Sequence, residues 1–149
     1  MIIVSDASPI IALHNIGYLS LLEWLYGSIK ITDIVEAELE IELPHWMLID
    51  TNYESTTYQS LNVHLDAGEA SSIALALQYP DSVLIIDERR GRKVASSLNI
   101  EIIGLLGVIV KSKKEGKILA GMPIIQALQK QGFRVSDELI AIVKERLQE

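Results

Sequence analysis

The sequence predicts an α/β fold, a three-layer α/β/α sandwich with a central parallel sheet. Short apolar segments alternate with longer helical segments, which is typical of parallel strands joined by helices. The apolar segments at residues 2–5 and 83–86 show no polar alternation, so we expect both faces of the sheet to be buried. With 149 residues and a hydrophobic fraction of 49%, the chain suits one domain over residues 1–149.

The first 62 residues predict three strands and three helices. Ser8 is expected to cap the first helix, because serine favours the N-cap and Pro9 suits the next position. Asp33 and Glu36 have the spacing of a capping box. The polar segment at residues 50–62 predicts a loop. The elements are strand 2–5, helices 9–15 and 19–26, strand 29–31, helix 33–42 and strand 46–49.

The remainder predicts two more strands and five helices. Asp66 and Glu69 again have capping-box spacing and open a helix. Ser136 is expected to cap the last helix. The elements are a helix from residue 66, strand 83–86, helix 88–98, strand 100–103 and helices 104–115, 123–131 and 136–147.

Two aspartates stand where predicted strands end. Asp6 and Asp87 each follow an apolar strand, and the crevice of such sheets lies at the carboxyl ends of the strands. Neighbouring carboxylates repel each other unless a proton or a cation is shared. The chain has no cysteine, and its three histidines are far apart. We therefore expect a hard cation bound through oxygen, Mg²⁺ or Mn²⁺.

Glu38 and Glu69 are expected to add carboxylates from nearby helices. Glu38 stands in an acidic stretch, so it is also explained as one solvated carboxylate among several. Glu69 is also explained by its capping box with Asp66. The residues alone leave both interpretations open.

The charge is unevenly distributed. The net charge is −7, which argues against a general nucleic-acid coat protein. Residues 1–88 hold 14 acids and one base, whereas residues 89–149 hold 12 bases and six acids. One basic cluster follows Asp87 directly and comprises Arg89, Arg90, Arg92 and Lys93. Such a run is usually a solvated helix face, but it is also suited to holding a phosphate backbone or pairing with nearby acids.

The chain is expected to be cytoplasmic and to have no membrane partner. Its longest apolar run, residues 102–110, contains two glycines and is too short for a bilayer. No basic segment precedes an apolar one at the start of the sequence, as a secretory signal would require.

Five segments resemble the PIN-domain superfamily in the same order along the chain. They are V-S-D-A-S-P-I-I-A-L, V-E-A-E-L, L-D-A-G-E-A-S-S-I-A-L-A-L, L-I-I-D-E-R-R-G-R-K-V-A and I-I-G-L-L-G-V-I-V. The third and fourth are the most specific. The chain is most similar to a PIN-like subgroup that carries D-E-R-R-G-R and is related to the VapC-type ribonuclease toxins of toxin–antitoxin pairs. The resemblance covers essentially the whole sequence.

The resemblance implies a metal-dependent endoribonuclease that acts on single-stranded or structured RNA. It implies one or two Mg²⁺ or Mn²⁺ ions, and Ser8 as the hydroxyl companion of the first acid. The implied catalytic and metal-binding carboxylates are Asp6, Glu38, Glu69 and Asp87. The implied partner is a cognate antitoxin. We also expect a homodimer, because the apolar-rich N-terminal helices suit dimer formation.

The sequence departs from the pattern of the toxins at two positions. Glu69 replaces their usual aspartate, and Ile85 stands where they often have Thr or Ser. Asp66 is therefore an alternative third acid. Both departures bear on the geometry of a metal site.

Two other functional classes fit parts of the sequence. The first is a binding or regulatory module, that is, a PIN-like fold in which the metal geometry is degraded. A phosphoryl-transfer α/β domain fits less well. A haloacid-dehalogenase-like phosphatase needs a second aspartate where Ser8 stands, and a receiver domain needs a late strand-terminal lysine that the chain lacks.

Overall fold

The computed structural model describes residues 1–149. The chain forms five strands, β1 (Ile3–Ser5), β2 (Ile29–Ile31), β3 (Met47–Ile49), β4 (Val83–Ile85) and β5 (Glu101–Ile103). All five are parallel and form one sheet in the order β3-β2-β1-β4-β5.

Nine helices surround the sheet, and none has the length and apolar character needed to cross a membrane. The first five helices are α1 (Ala7–Asn15), α2 (Ser20–Tyr26), α3 (Asp33–Glu38), α4 (Ser55–Asn62) and α5 (Ala67–Leu77). The remaining four are α6 (Arg89–Ser97), α7 (Leu105–Lys114), α8 (Met122–Lys130) and α9 (Asp137–Leu147).

Alternating strand residues face two separate cores. Ile3, Val83 and Ile85 pack into one core with side chains of α1, α2, α7, α8 and α9. Val4 and Leu84 pack into the other core with α4, α5 and α6. This period of two, with both faces apolar, is that of a sheet buried between helical layers. The predicted α/β/α sandwich is therefore confirmed.

The sheet order places a crevice beside β1. The chain moves from β1 to β2 and β3 on one side, and then returns to β4 and β5 on the other. Such a reversal leaves an opening at the carboxyl ends of the two central strands, where ligands bind in open α/β sheets. Ser5 lies opposite Ile85 in this pair, so the residues that follow them border the opening.

Two predicted helix starts were wrong. The first helix begins at Ala7, so Asp6 occupies the N-cap position and Ser8 lies exposed in the first turn. Thr32, and not Asp33, caps α3, because its hydroxyl accepts a hydrogen bond from the Val35 amide at 3.0 Å. That helix also ends at Glu38, four residues earlier than predicted.

One predicted loop contains a helix. Residues 50–62 include α4, which has no buried residue of its own. Tyr58 and Leu61 are partly buried against the core that α5 forms, and this contact stabilises a segment whose Ser and Thr content disfavours helix. The predicted caps Asp66 and Ser136 are confirmed, because each accepts a hydrogen bond from the amide three residues later.

Candidate active site

Asp6 lies directly after the central strand and is only 4% exposed. Its burial raises the pKa of the carboxyl from 3.8 to about 7, against the opposing effect of the Ala7 amide. The negative charges of Asp66, Glu38 and Asp87 raise the pKa further. A carboxyl in these surroundings binds a proton or a cation readily near neutral pH.

Glu69 lies in the first turn of α5 and is also 4% exposed. Its Oε2 atom is buried without a hydrogen-bond partner. Burial raises the pKa of this carboxyl to about 8, and a hydrogen bond to Asp66 and the charges of Asp66, Asp6 and Glu88 act in the same direction. A buried oxygen without a partner is costly, so this atom is suited to binding a proton or a cation.

Gly91 allows Glu69 to occupy this place. A Cβ atom at Gly91 would stand 2.6 Å from Oε2 of Glu69 and 2.7 Å from Cδ1 of Ile86. The glycine of the D-E-R-R-G-R segment therefore leaves room on α6 for the buried carboxylate.

Glu38 ends α3 with an exposed side chain whose carboxylate lies over the Gly68 backbone. Partial burial and the charge of Asp66 raise its pKa, and the Gly68 amide lowers it. Asp66 thus acts electrostatically on Asp6, Glu38 and Glu69 while its Oδ1 caps α5. The structure brings both candidates for the third acid, Asp66 and Glu69, close to the other acids. The acidic cluster comprises Asp6, Glu38, Asp66, Glu69 and Asp87.

Asp87 faces the other helical layer. Its Oδ1 accepts a hydrogen bond from the Leu105 amide at 2.9 Å, which satisfies a free donor at the start of α7. Burial raises the pKa of Asp87, while the Leu105 amide and Arg92 lower it. In register, Asp6 lies opposite Ile86 rather than Asp87, so the pleat directs the two aspartates toward different layers.

The acids fit a divalent cation by their chemistry. All donors are carboxylate oxygens, which Mg²⁺ and Mn²⁺ prefer, and the unpartnered Oε2 of Glu69 lies among them. As the side chains stand, no three acidic or histidine side chains converge closely enough to bind one ion. Glu38 is exposed at the edge of the cluster.

The other predicted site residues lie in different places. Ser8 is exposed and forms no side-chain hydrogen bond. Arg89 and Lys93 are exposed on α6, whereas Arg90 donates a hydrogen bond to the His64 carbonyl at 3.2 Å. Only Arg92 is directed to Asp87. At about 100° per residue the four bases spread over about 160° of the helix surface, so they do not all point toward Asp87.

Sequence reasoning missed two buried hydroxyl contacts near the acids. Ser5 donates a hydrogen bond to the carbonyl of Asp6 at 2.9 Å. Thr32 and Ser71 form a hydrogen bond of 2.7 Å that joins α3 to α5 and so fixes the helices that carry Glu38 and Glu69. Their only sequence signal is a polar residue in an apolar segment.

Comparison with known families assigns the chain to a family. A family model described as a PIN domain matches residues 2–149. The chain belongs to the PIN-domain family. PIN domains are generally nucleases that act on nucleic acids, and such nucleases typically use divalent metals. Searches of curated proteins and of solved structures gave no match.

Proposed function

We propose that this PIN domain is a Mg²⁺- or Mn²⁺-dependent endoribonuclease that hydrolyses RNA phosphodiester bonds. One observation carries the proposal: buried carboxyls with raised pKa surround the carboxyl end of the central strand. Asp6 and Glu69 are both almost fully buried, yet neither forms an ion pair. An arrangement that disfavours their ionised forms is expected where a cation binds.

The carboxylates have distinct roles in the proposed reaction. The proposed ligands are Asp6, Glu38, Glu69 and Asp87. Asp66 holds Glu69 in place, because the Asp66 carboxylate accepts a hydrogen bond from the Glu69 amide and shares another with the Glu69 carboxyl. A divalent ion held there would act as a Lewis acid toward the phosphodiester and would lower the pKa of water. Burial raises the pKa of Asp6 to about 7 and that of Glu69 to about 8, so both carboxyls would have to be ionised in order to hold the ion. The Leu105 amide fixes the orientation of Asp87.

The substrate is RNA in single-stranded or structured form. Arg92 stands beside Asp87 and is the base of the α6 cluster best placed to contact a phosphate. Arg89 and Lys93 remain solvated and would add long-range attraction. Ser8, which is exposed two residues after Asp6, is the proposed hydroxyl contact to the substrate.

The biological role that we propose is the toxin of a toxin–antitoxin pair. The resemblance to VapC-type toxins supports it. Trp24 is 48% and Ile11 37% exposed, which supports a homodimer formed through α1 and α2. Growth arrest on induced expression in a bacterial host, absent for Asp6→Asn, would support the toxin role. Normal growth with active protein would refute it.

The first experiment measures cleavage of a fluorescent single-stranded RNA with Mg²⁺ or Mn²⁺. Wild type is compared with Asp6→Asn and Asp87→Asn, and Asp81→Asn is the matched control. Asp81 is exposed before β4, at the opposite end of the sheet from the acidic cluster. We expect cleavage by wild type and Asp81→Asn, and a loss of at least about 100-fold in the other two.

The outcomes separate the alternatives. Equal cleavage by all four proteins would show a contaminating nuclease and refute the assignment. If none of the four proteins cleaves RNA and none binds Mg²⁺ in calorimetry, the result would favour a binding module with a degraded metal site. Loss in Asp6→Asn alone would remove Asp87 from the set.

A further inference from the structure

A groove lies beside Asp87 on the side of the sheet away from Glu69. It encloses about 870 Å³ between the end of β5, α7 and α9. We call it the α7–α9 groove. Its apolar wall includes Leu106, Val110, Phe133, Leu139 and Ile142. Its basic residues are Arg92, Lys111, Lys114, Arg134 and Arg146.

The basic residues of the α7–α9 groove are almost entirely unpaired. Lys111 alone has a carboxylate within reach, that of Glu115 at 3.9 Å, and four form no ion pair. The only acid on the wall is Asp87. In a chain with a net charge of −7, five bases around one groove make a local positive potential that favours an anionic ligand.

Two apolar residues of the groove are strongly exposed, Leu139 by 42% and Ile142 by 49%. Phe133, the only phenylalanine of the chain, is partly buried against the core and lines the same wall. An apolar surface beside free cations suits a ligand that has both flat apolar faces and regularly spaced negative charges. Single-stranded nucleic acid has this character, because its nucleobases stack on aromatic side chains while its phosphates contact lysine and arginine side chains. A duplex keeps its base faces stacked inside.

We infer that the α7–α9 groove binds a single RNA strand, with unstacked bases against Phe133 and the apolar wall and phosphates on Lys114, Arg134 and Arg146. Arg92 and Asp87 connect the groove to the acidic cluster. The identification of the strand as substrate rests on the proposed function. Binding itself does not, because the groove and the acidic cluster use different side chains apart from Asp87.

The test measures binding without cleavage. Fluorescence anisotropy of a labelled oligouridine is followed in EDTA for wild type and for Lys114→Glu with Arg146→Glu. The matched control is Lys117→Glu with Lys130→Glu, which changes the net charge equally at two exposed positions outside the groove. We expect the groove variant to bind about tenfold or more weakly, and the control to stay within about twofold of wild type.

Salt dependence gives a second readout. Each phosphate contact on a single strand contributes about −0.7 to the slope of log K against log salt, so loss of two cations should reduce the slope by about 1.4 between about 50 and about 200 mM salt. Phe133→Leu keeps an apolar side chain but removes the stacking face. We expect it to bind about fivefold more weakly, with an unchanged salt slope.

The outcomes distinguish this inference from the proposed function. Unchanged binding by the folded groove variant would overturn the inference even if RNA is cleaved. Equal affinity for a duplex would also overturn it. No RNA binding by wild type at about 50 mM salt would do the same, and would leave an acidic protein segment as the ligand. Weaker binding by the groove variant, with cleavage unaffected by Asp6→Asn, would support the groove and refute the proposed catalytic centre.

Discussion

Replacement of Asp6 by asparagine should stabilise the protein at high pH. The folded protein holds the pKa of Asp6 at about 7, well above the ordinary 3.8. The folded state therefore binds this proton more tightly than the unfolded state. The resulting stability is present in full below about pH 4 and is lost as pH rises through about 7. Asparagine has nearly the same shape and cannot ionise.

The size of the effect follows from the pKa difference. About three pKa units at about 1.4 kcal/mol each give at most about 4 kcal/mol by about pH 8. We expect Asp6→Asn to exceed wild type by about 2–4 kcal/mol at about pH 8, and to match it within about 1 kcal/mol at about pH 4. The variant also removes a charge that raises the pKa of Glu69, which acts in the same direction.

Urea denaturation followed by circular dichroism in EDTA measures this difference. A gain of about 2–4 kcal/mol corresponds to a midpoint about 1–2 M higher. Mg²⁺ at about pH 8 should then raise the unfolding free energy of wild type and have little effect on Asp6→Asn, because ligands stabilise only a state that binds them. Equal stability of the two proteins at both pH values would refute the reasoning. So would greater stability of wild type at high pH without metal.

Three further substitutions test the surroundings of the acids and the last helix. Gly91→Ala places a Cβ atom 2.6 Å from the buried carboxylate of Glu69, so overpacking should outweigh a helix-propensity gain of about 1 kcal/mol; a higher urea midpoint would contradict this. Gly68→Ala crowds only the exposed end of Glu38, at 2.7 Å. It should therefore fold normally but bind Mg²⁺ more weakly in calorimetry, and unchanged affinity would argue against Glu38 as a ligand. Glu149 accepts hydrogen bonds from two amides at the start of α8, which with a nearby lysine lower its pKa to about 2. Glu149→Gln should lose about 1 kcal/mol at neutral pH and nothing near pH 2, which thermal unfolding at both pH values would check.

The strands were predictable because their signals are local. Short, mostly apolar segments predicted all five strands within one residue of their ends, and residues 29–31 without error. Helix starts were harder where several polar residues compete. Ser8 suits an N-cap by type, but the chain already turns at Asp6 as it leaves the sheet. The helix α4 was missed because its stability comes from packing on α5, which no local pattern reveals.

The positions of the acids along the chain were predictable for the same reason, but the directions of their side chains were not. The sequence shows that Asp6 and Asp87 each follow a buried strand. The layer toward which each side chain is directed depends on the register of the two strands. The capping spacing of Asp66 and Glu69 explains one hydrogen bond but not the buried Oε2. The basic residues of the α7–α9 groove come from segments up to 54 residues apart, from Arg92 to Arg146. No single charge run in the sequence therefore predicts the groove.

The central position of β1 has a consequence for translation. Residues 3–5 leave the ribosome before residues 83–85, which form one of their two neighbouring strands. The orientation of Asp87 also depends on the amide of residue 105. At about 5–20 residues per second, several seconds pass before these parts are all available. The acidic centre cannot assemble on a nascent chain during that time, so the candidate site stays incomplete until most of the protein has emerged.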